Sequence, residues 1–121
     1  MRIAAFALAL ALAATLPAFA DDVVPLKIKT SEAAAHIGEK VTVVGVLTDV
    51  HKTHSKAILW DFDGKYPDNP FTVYVAKQNT DTIPDVTPLI GKTLAVTGTL
   101  KTYHDKPEIE VTDVKQVAVG Q

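Results

Sequence analysis

The sequence contains no cysteine, and its only arginine is Arg2. Without thiols, a disulfide, a thiolate zinc site and a cysteine nucleophile are all excluded. Arginine is the side chain that grips phosphate and carboxylate groups through two parallel hydrogen bonds, so its near absence argues against nuclease and phosphatase chemistry. No Gly-x-Ser-x-Gly elbow and no recognisable pair of catalytic carboxylates occurs. We therefore expect a protein that is not an enzyme and that has no cofactor.

The first twenty residues have the pattern of a secretory signal peptide. Arg2 supplies a positive start, residues 3–16 form an apolar run, and residues 18–20 read Ala-Phe-Ala, the small-x-small cleavage pattern. A retained membrane anchor is the alternative, but the run is short for a spanning helix. We expect cleavage between Ala20 and Asp21, a periplasmic or secreted location, and no stable membrane anchor afterwards.

The predicted mature chain, residues 21–121, is long enough for one domain with one core. It carries eleven lysines against fourteen acidic residues, a formal net charge of −3 with histidine neutral. A polyanion would therefore meet no favourable overall field. Residues 21–36 are expected to form an extended lead-in and a short helix, which begins at Glu32 behind a Thr30 or Ser31 cap, and residues 37–119 form the domain.

Period-two patterns predict a small all-β domain. The first strand has Gly45 in its middle, where we expect a bulge or bend that curls it around a barrel. A further short helix is expected near residues 86–90, between the third and fourth strands. Five strands are predicted, at residues 40–50, 57–62 and 71–77, within residues 90–104, and at residues 107–119.

Two segments of the chain match each other at a constant offset of 53 residues. Residues 37–51 read IGEKVTVVGVLTDVH and residues 90–104 read IGKTLAVTGTLKTYH. In each copy a glycine ends a helical turn, a second glycine interrupts the strand, and a histidine follows it. The match predicts two strands with the same role in one barrel, and similarity of role is a better explanation than a repeat architecture because there are only two copies.

This order of strands and helices is that of an OB-fold, a five-stranded Greek-key barrel. Four segments also carry a family resemblance: IGEKVTVVGVL at 37–47, GKYPDNPFT at 64–72, IGKTLAVTG at 90–98 and KPEIEV at 106–111. Through them the chain resembles bacterial exported OB-fold domains of the nucleic-acid-binding, tRNA-anticodon-binding-like type, and small periplasmic OB-fold proteins. The resemblance implies a binding module for single-stranded nucleic acid, with an oligosaccharide as another extended polymer to consider.

Five aromatic residues crowd into residues 60–74. Strand alternation places Trp60, Phe62 and Phe71 in the core, where a domain of this size needs large side chains. It leaves Tyr66 and Tyr74 on the surface or at its edge, as it does Tyr103 further along. Exposed rings on a sheet can serve as a stacking platform for flat ligands.

An OB-fold binds ligands on the face of its second and third strands, framed by the loops after the first and fourth strands. Here those loops are HKTHSK at 51–56 and KTYHDK at 101–106, which predict a locally basic rim on an acidic protein. An ordinary solvated loop surface is the alternative. The predicted ligand-binding residues are Tyr66, Tyr74, Tyr103, Lys52, Lys56, Lys65 and Lys106.

Two other functions remain open from the sequence. If the two loops meet, His51, His54 and His104 could hold a zinc or copper ion, although no cysteine and no helix fixes their spacing. Alternatively, the protein is an interaction or envelope-stress accessory whose partner is another protein and which binds no small ligand.

Overall fold

The structure is a computed structural model that describes residues 24–120, so the predicted signal peptide lies outside the described residues. In this part of the chain, short 3₁₀ helices occupy Thr30–His36, Lys77–Asn79, Thr87–Leu89 and Val114–Gln116. None of the helices between residues 24 and 120 has both the length and the apolar character that crossing a bilayer requires. The strands are β1 (Leu26–Lys29), β2 (Lys40–Lys52), β3 (Ile58–Phe62), β4 (Phe71–Val75), β5 (Thr93–Thr99), β6 (Lys101–Tyr103), β7 (Lys106–Glu110) and β8 (Val117–Val119).

The pairing of the strands is that of an OB-fold barrel. β2 lies between β3 and β5 and pairs antiparallel with both. β4 pairs antiparallel with β3 and parallel with β7, and β6 pairs antiparallel with β7. Because only Leu100 separates β5 from β6, they are two halves of one barrel strand, and the strand order returns to its start. The prediction of an all-β OB-fold is confirmed, and β1 adds a parallel strand beside β2.

The two matching segments are related by a local two-fold axis. Val43 lies opposite Val96, its own counterpart at the offset of 53, and the β2–β5 register runs symmetrically outward from this pair. Four backbone hydrogen bonds obey the same symmetry: Gly38 N to Leu100 O (2.7 Å) with Gly91 N to Leu47 O (2.8 Å), and Leu100 N to Glu39 O (3.0 Å) with Leu47 N to Lys92 O (3.0 Å). The sequence match therefore corresponds to a real equivalence of the two strands.

The expected role of Gly45 is wrong in one respect. The bulge in β2 lies between Leu47 and Asp49, not at Gly45. Gly45 instead permits a close approach, since a Cβ there would lie 2.5 Å from the Thr30 methyl and 2.7 Å from the Asp63 carboxylate. The Thr30 hydroxyl donates to Asp63 Oδ2 at 2.6 Å, so the glycine makes room for this bond.

The ends of two other predicted elements also differ. The first 3₁₀ helix has no threonine or serine cap: the Thr30 side chain is turned to Asp63, and Glu32 Oε1 accepts from the backbone N–H of Lys29 at 2.8 Å. The last predicted strand is broken, because β7 ends at Glu110 and the chain turns before β8 pairs with β5.

The core is aromatic at its centre, as alternation predicts. Trp60, Phe62 and Phe71 are at most 2% exposed, and the Phe62 and Phe71 ring centroids lie 5.4 Å apart. The barrel interior also buries Leu47, Leu94, Leu100, Ile109, Val41, Val43, Val73, Val75 and Val96. With the interior filled by these side chains, ligands must bind outside the barrel.

Candidate ligand-binding face

A cavity of about 490 Å³ lies on the outer face of the sheet, over β3, β4 and β7. We call this surface the outer cavity. Its lining includes four of the predicted ligand-binding residues, Tyr66, Tyr74, Tyr103 and Lys106, together with His51 and His104. The structure thus brings together residues as far apart in sequence as His51 and Lys106, on the face that an OB-fold uses for binding.

The other predicted residues do not line the outer cavity. Lys56 and Lys65 are exposed, as is His54, and Lys52 lines a neighbouring cavity beside the 3₁₀ helix Thr87–Leu89. The outer cavity includes residues that sequence reasoning missed, among them Lys101 and Glu108. Lys101 lies within a predicted loop but is not among the predicted ligand-binding residues, whereas nothing in the local sequence indicates that Glu108 is buried.

The three tyrosines differ in how much of each ring is available. Tyr66 and Tyr103 are 58% and 54% exposed, and Tyr74 is half-buried. Tyr103 contacts the ring of His104 edge-on, with centroids 4.1 Å apart. The ammonium of Lys106 lies 5.8 Å from the centroid of Tyr66. Two rings therefore stand at the rim of the outer cavity, while Tyr74 forms part of its floor.

The turn between β3 and β4 is fastened to this face from two sides. The Lys106 ammonium donates to the backbone carbonyls of Pro67 and Asn69. The Asn69 side chain, only 1% exposed, donates to Thr72 Oγ1 at 2.7 Å and to the Phe71 carbonyl at 3.0 Å. Lys106 is therefore already engaged with protein carbonyls, which limits what it can offer to a ligand.

A buried glutamate offsets the basic rim that the loops predict. Glu108 is 3% exposed, and the ammonium of Lys101 lies 3.8 Å from its Oε2 and 3.2 Å from Glu110 Oε1. Burial raises the pKa of Glu108, and the positive charge of Lys101 opposes the rise. Since Lys101 faces two acids and Lys106 two carbonyls, the outer cavity is not a basic groove.

A second buried acid, Asp61, lies in β3 beside the end of β2. Its side chain is 1% exposed, and its Oδ2 lies 3.2 Å from His51 Nε2. The register places Asp49 directly opposite Asp61. Burial raises the pKa of Asp61, His51 lowers it, and the charge of Asp49 adds to the rise.

Asp49, His51 and Asp61 are also the one trio of possible metal ligands between residues 24 and 120 whose donor atoms lie within 4.8 Å of one another. They share only His51 with the set predicted from sequence. The site of His51, His54 and His104 stays a prediction.

No protein-family model matches this chain, and no curated protein sequence matches it. Solved structures do align with it. A protein assigned as an aspartyl-tRNA synthetase in Leishmania major aligns with 14% identity and a TM-score of 0.50 over 78% of this chain, which spans only 20% of that protein. A protein assigned as a nucleic acid-binding lipoprotein in Klebsiella pneumoniae aligns with 17% identity and a TM-score of 0.46 over 76% of this chain and 79% of its own. The dimeric N-terminal domain of PriB protein from Thermoanaerobacter tencongensis aligns with 16% identity and a TM-score of 0.41 over 68% of this chain and 96% of its own. At 14% identity the synthetase alignment supports a shared fold alone.

Proposed function

We propose that this protein is an exported binding module, not an enzyme, and that it binds a short stretch of single-stranded nucleic acid in the outer cavity by stacking bases on tyrosine rings. The observation that carries the proposal is the convergence of Tyr66, Tyr74 and Tyr103 on one cavity of the face that OB-folds use for such ligands. The apolar run and Ala-Phe-Ala pattern of residues 1–20 support export.

Stacking, not charge, must supply most of the binding free energy. Stacking one base on an aromatic side chain contributes about 1–3 kcal/mol, and it tolerates any base because every base has a flat face. Lys101 and Lys106 are already engaged within the protein, and the mature chain has a formal charge of −3. We therefore expect about one phosphate contact. The logarithm of the affinity should then fall with the logarithm of the salt concentration with a slope of about −0.7, the value for one contact to a single strand.

The test is fluorescence anisotropy with an end-labelled oligothymidylate of about twelve nucleotides at several salt concentrations, a length within the usual range for one OB-fold. Tyr103→Leu should weaken binding by about 5- to 150-fold, which corresponds to the loss of one stacked base. Tyr103→Phe is the matched control and should bind like the wild type, because it keeps the ring. Lys115→Ala, a lysine outside the outer cavity, should also have no effect.

Three results would overturn the proposal. The first is no binding of the oligonucleotide, and the second is binding that Tyr103→Leu leaves unchanged. The third is binding that an oligosaccharide displaces but a second oligonucleotide does not, because the ligand would then be a different polymer.

A further inference from the structure

We propose that Asp49, His51 and Asp61 form a binding site for one divalent first-row transition-metal ion at the edge of the outer cavity. This site differs from the three-histidine site considered from sequence, and it does not depend on nucleic-acid binding.

The β-bulge in β2 creates the cluster. Leu47 is fully buried in the core opposite Phe62, so strict alternation would turn residues 49 and 51 toward the core as well. The extra residue at the bulge shifts the register, so that Asp49 pairs with Asp61 and His51 with Leu59 on the outer face. All three polar side chains are thereby brought to one side of the sheet.

The cluster carries an imbalance of charge. Carboxylates directly opposite each other on paired strands destabilise a sheet, and Asp61 is buried in addition. The ion-pair partner of Asp61 is His51, whose charge depends on protonation. A divalent cation would neutralise both carboxylates at once.

The donor atoms are spaced for a metal ion. His51 Nε2 and Asp61 Oδ2 are buried and lie 3.2 Å apart, yet neither atom makes a hydrogen bond of acceptable geometry. Two ligands at metal distances of about 2.0–2.2 Å lie about 2.9 Å apart at an octahedral angle and about 3.4 Å apart at a tetrahedral one. The observed separation falls between these values, and rotation of the half-buried Asp49 side chain can bring in the third ligand.

A neighbouring residue orients the buried Asp61 carboxylate, one of the proposed metal ligands. Asp61 Oδ1 accepts from the Asn69 side chain at 3.4 Å. Such an outer contact holds a ligating carboxylate in place, and here it leaves Oδ2 for the metal. His51 lines the outer cavity, so coordination positions on that side remain for water or a ligand. Imidazole with two carboxylates suits Zn²⁺, Mn²⁺ or Co²⁺ better than Ca²⁺ or Mg²⁺.

The test is calorimetric titration of the chelator-treated protein with Zn²⁺, and with Co²⁺ followed by visible absorption, in the absence of any oligonucleotide. We expect one equivalent to bind. Asp49→Asn and His51→Gln should each weaken binding by at least about tenfold, as expected for loss of a direct ligand. The matched controls His54→Gln and His104→Gln should bind like the wild type.

Asp49 is half-buried, so the Asp49→Asn variant should keep its fold, which circular dichroism would verify. The proposal is overturned if neither ion binds, if Asp49→Asn binds with unchanged affinity, or if either control variant loses the metal. The last result would favour the three-histidine site instead.

Discussion

The two symmetry-related strands can be compared directly at their ends. One is β2, and the other is the barrel strand formed by β5 and β6 in succession, and their backbones follow equivalent paths. Both are interrupted at equivalent places: the bulge follows Leu47, and the break between β5 and β6 falls at Leu100, 53 residues later. Beyond each interruption the strand runs past a buried carboxylate, Asp61 beside β2 and Glu108 beside β6.

The two ends differ in how that carboxylate is balanced. Glu108 faces the permanent positive charge of Lys101, which it shares with Glu110, whereas Asp61 faces only a histidine, with Asp49 opposite it. The residue equivalent to Lys101 is Thr48, whose hydroxyl lies within hydrogen-bond distance of the backbone carbonyls of Asp61 and Gly64 and has one proton to donate between them. The same scaffold thus supports one end where a permanent cation reaches the buried carboxylate and one end where only a histidine does.

The largest effect is expected from the paired leucines at the interruptions. Leu47→Ala and Leu100→Ala each remove a fully buried side chain, and each should lower the free energy of unfolding by about 2–5 kcal/mol. If the two-fold equivalence extends to energetics, the two losses of unfolding free energy should agree within about 1 kcal/mol. That difference is smaller than the usual spread among buried Leu→Ala substitutions. Urea unfolding measures both, and a wide difference would limit the equivalence to the backbone.

A smaller loss is expected at the glycines inside the two strands. Gly45→Ala would press a methyl group against Thr30 and Asp63, and Gly98→Ala would press one against Ile109, 2.6 Å from its Cγ2. Each should cost about 1–3 kcal/mol, the usual range for overpacking. Thr30→Ser removes the methyl that lies 2.5 Å from the new Cβ, so Gly45→Ala should cost less in that background. An equal cost in both backgrounds would assign the strain to Asp63 alone.

The smallest effect concerns the carboxylate that Lys101 balances. Burial raises the pKa of Glu108 above its ordinary value of 4.5, so the folded state binds this proton more tightly than the unfolded state does. Relative to Glu108→Gln, the wild type should have its full stability below about pH 4.5 and lose stability as the pH rises through the raised pKa. Denaturant unfolding of both proteins from pH 4 to 8 measures the difference. A difference that does not change with pH, or a wild type that gains stability relative to Glu108→Gln as the pH rises, would contradict the raised pKa.

Much of the barrel could be predicted from sequence because its signals are local. Alternation identified β3 and β4 and separated Trp60, Phe62 and Phe71 from the tyrosines. The offset match identified the two strands that pair about the local axis. These features follow from side-chain period and backbone geometry, which act over a few residues.

The candidate sites were harder to predict because they depend on where distant segments come to lie. The turn over the sheet face is closed by Asn69 and fastened by Lys106, and it buries Asp61, which in a bare sheet would face solvent. The bulge also cannot be predicted from hydrophobic alternation, because alternation assumes one residue for each pairing position along the strand and does not reveal an extra one. Sequence patterns therefore group His51 with His54 and His104, the histidines of the two predicted loops, and not with Asp49 and Asp61.

The bulge after Leu47 has a consequence for how this chain can vary. With Thr48 present, residues 49 and 51 face outward because the bulge takes up the extra residue of β2. Regular pairing that kept Thr48 would place Asp49 opposite Trp60 and turn both polar side chains inward. Deleting Thr48 would instead remove the extra residue, so Asp49 would follow Leu47 directly and stay opposite Asp61 on the outer face. Natural variants that lack one residue between Leu47 and Asp49 should therefore keep the cluster on the outer face without a bulge.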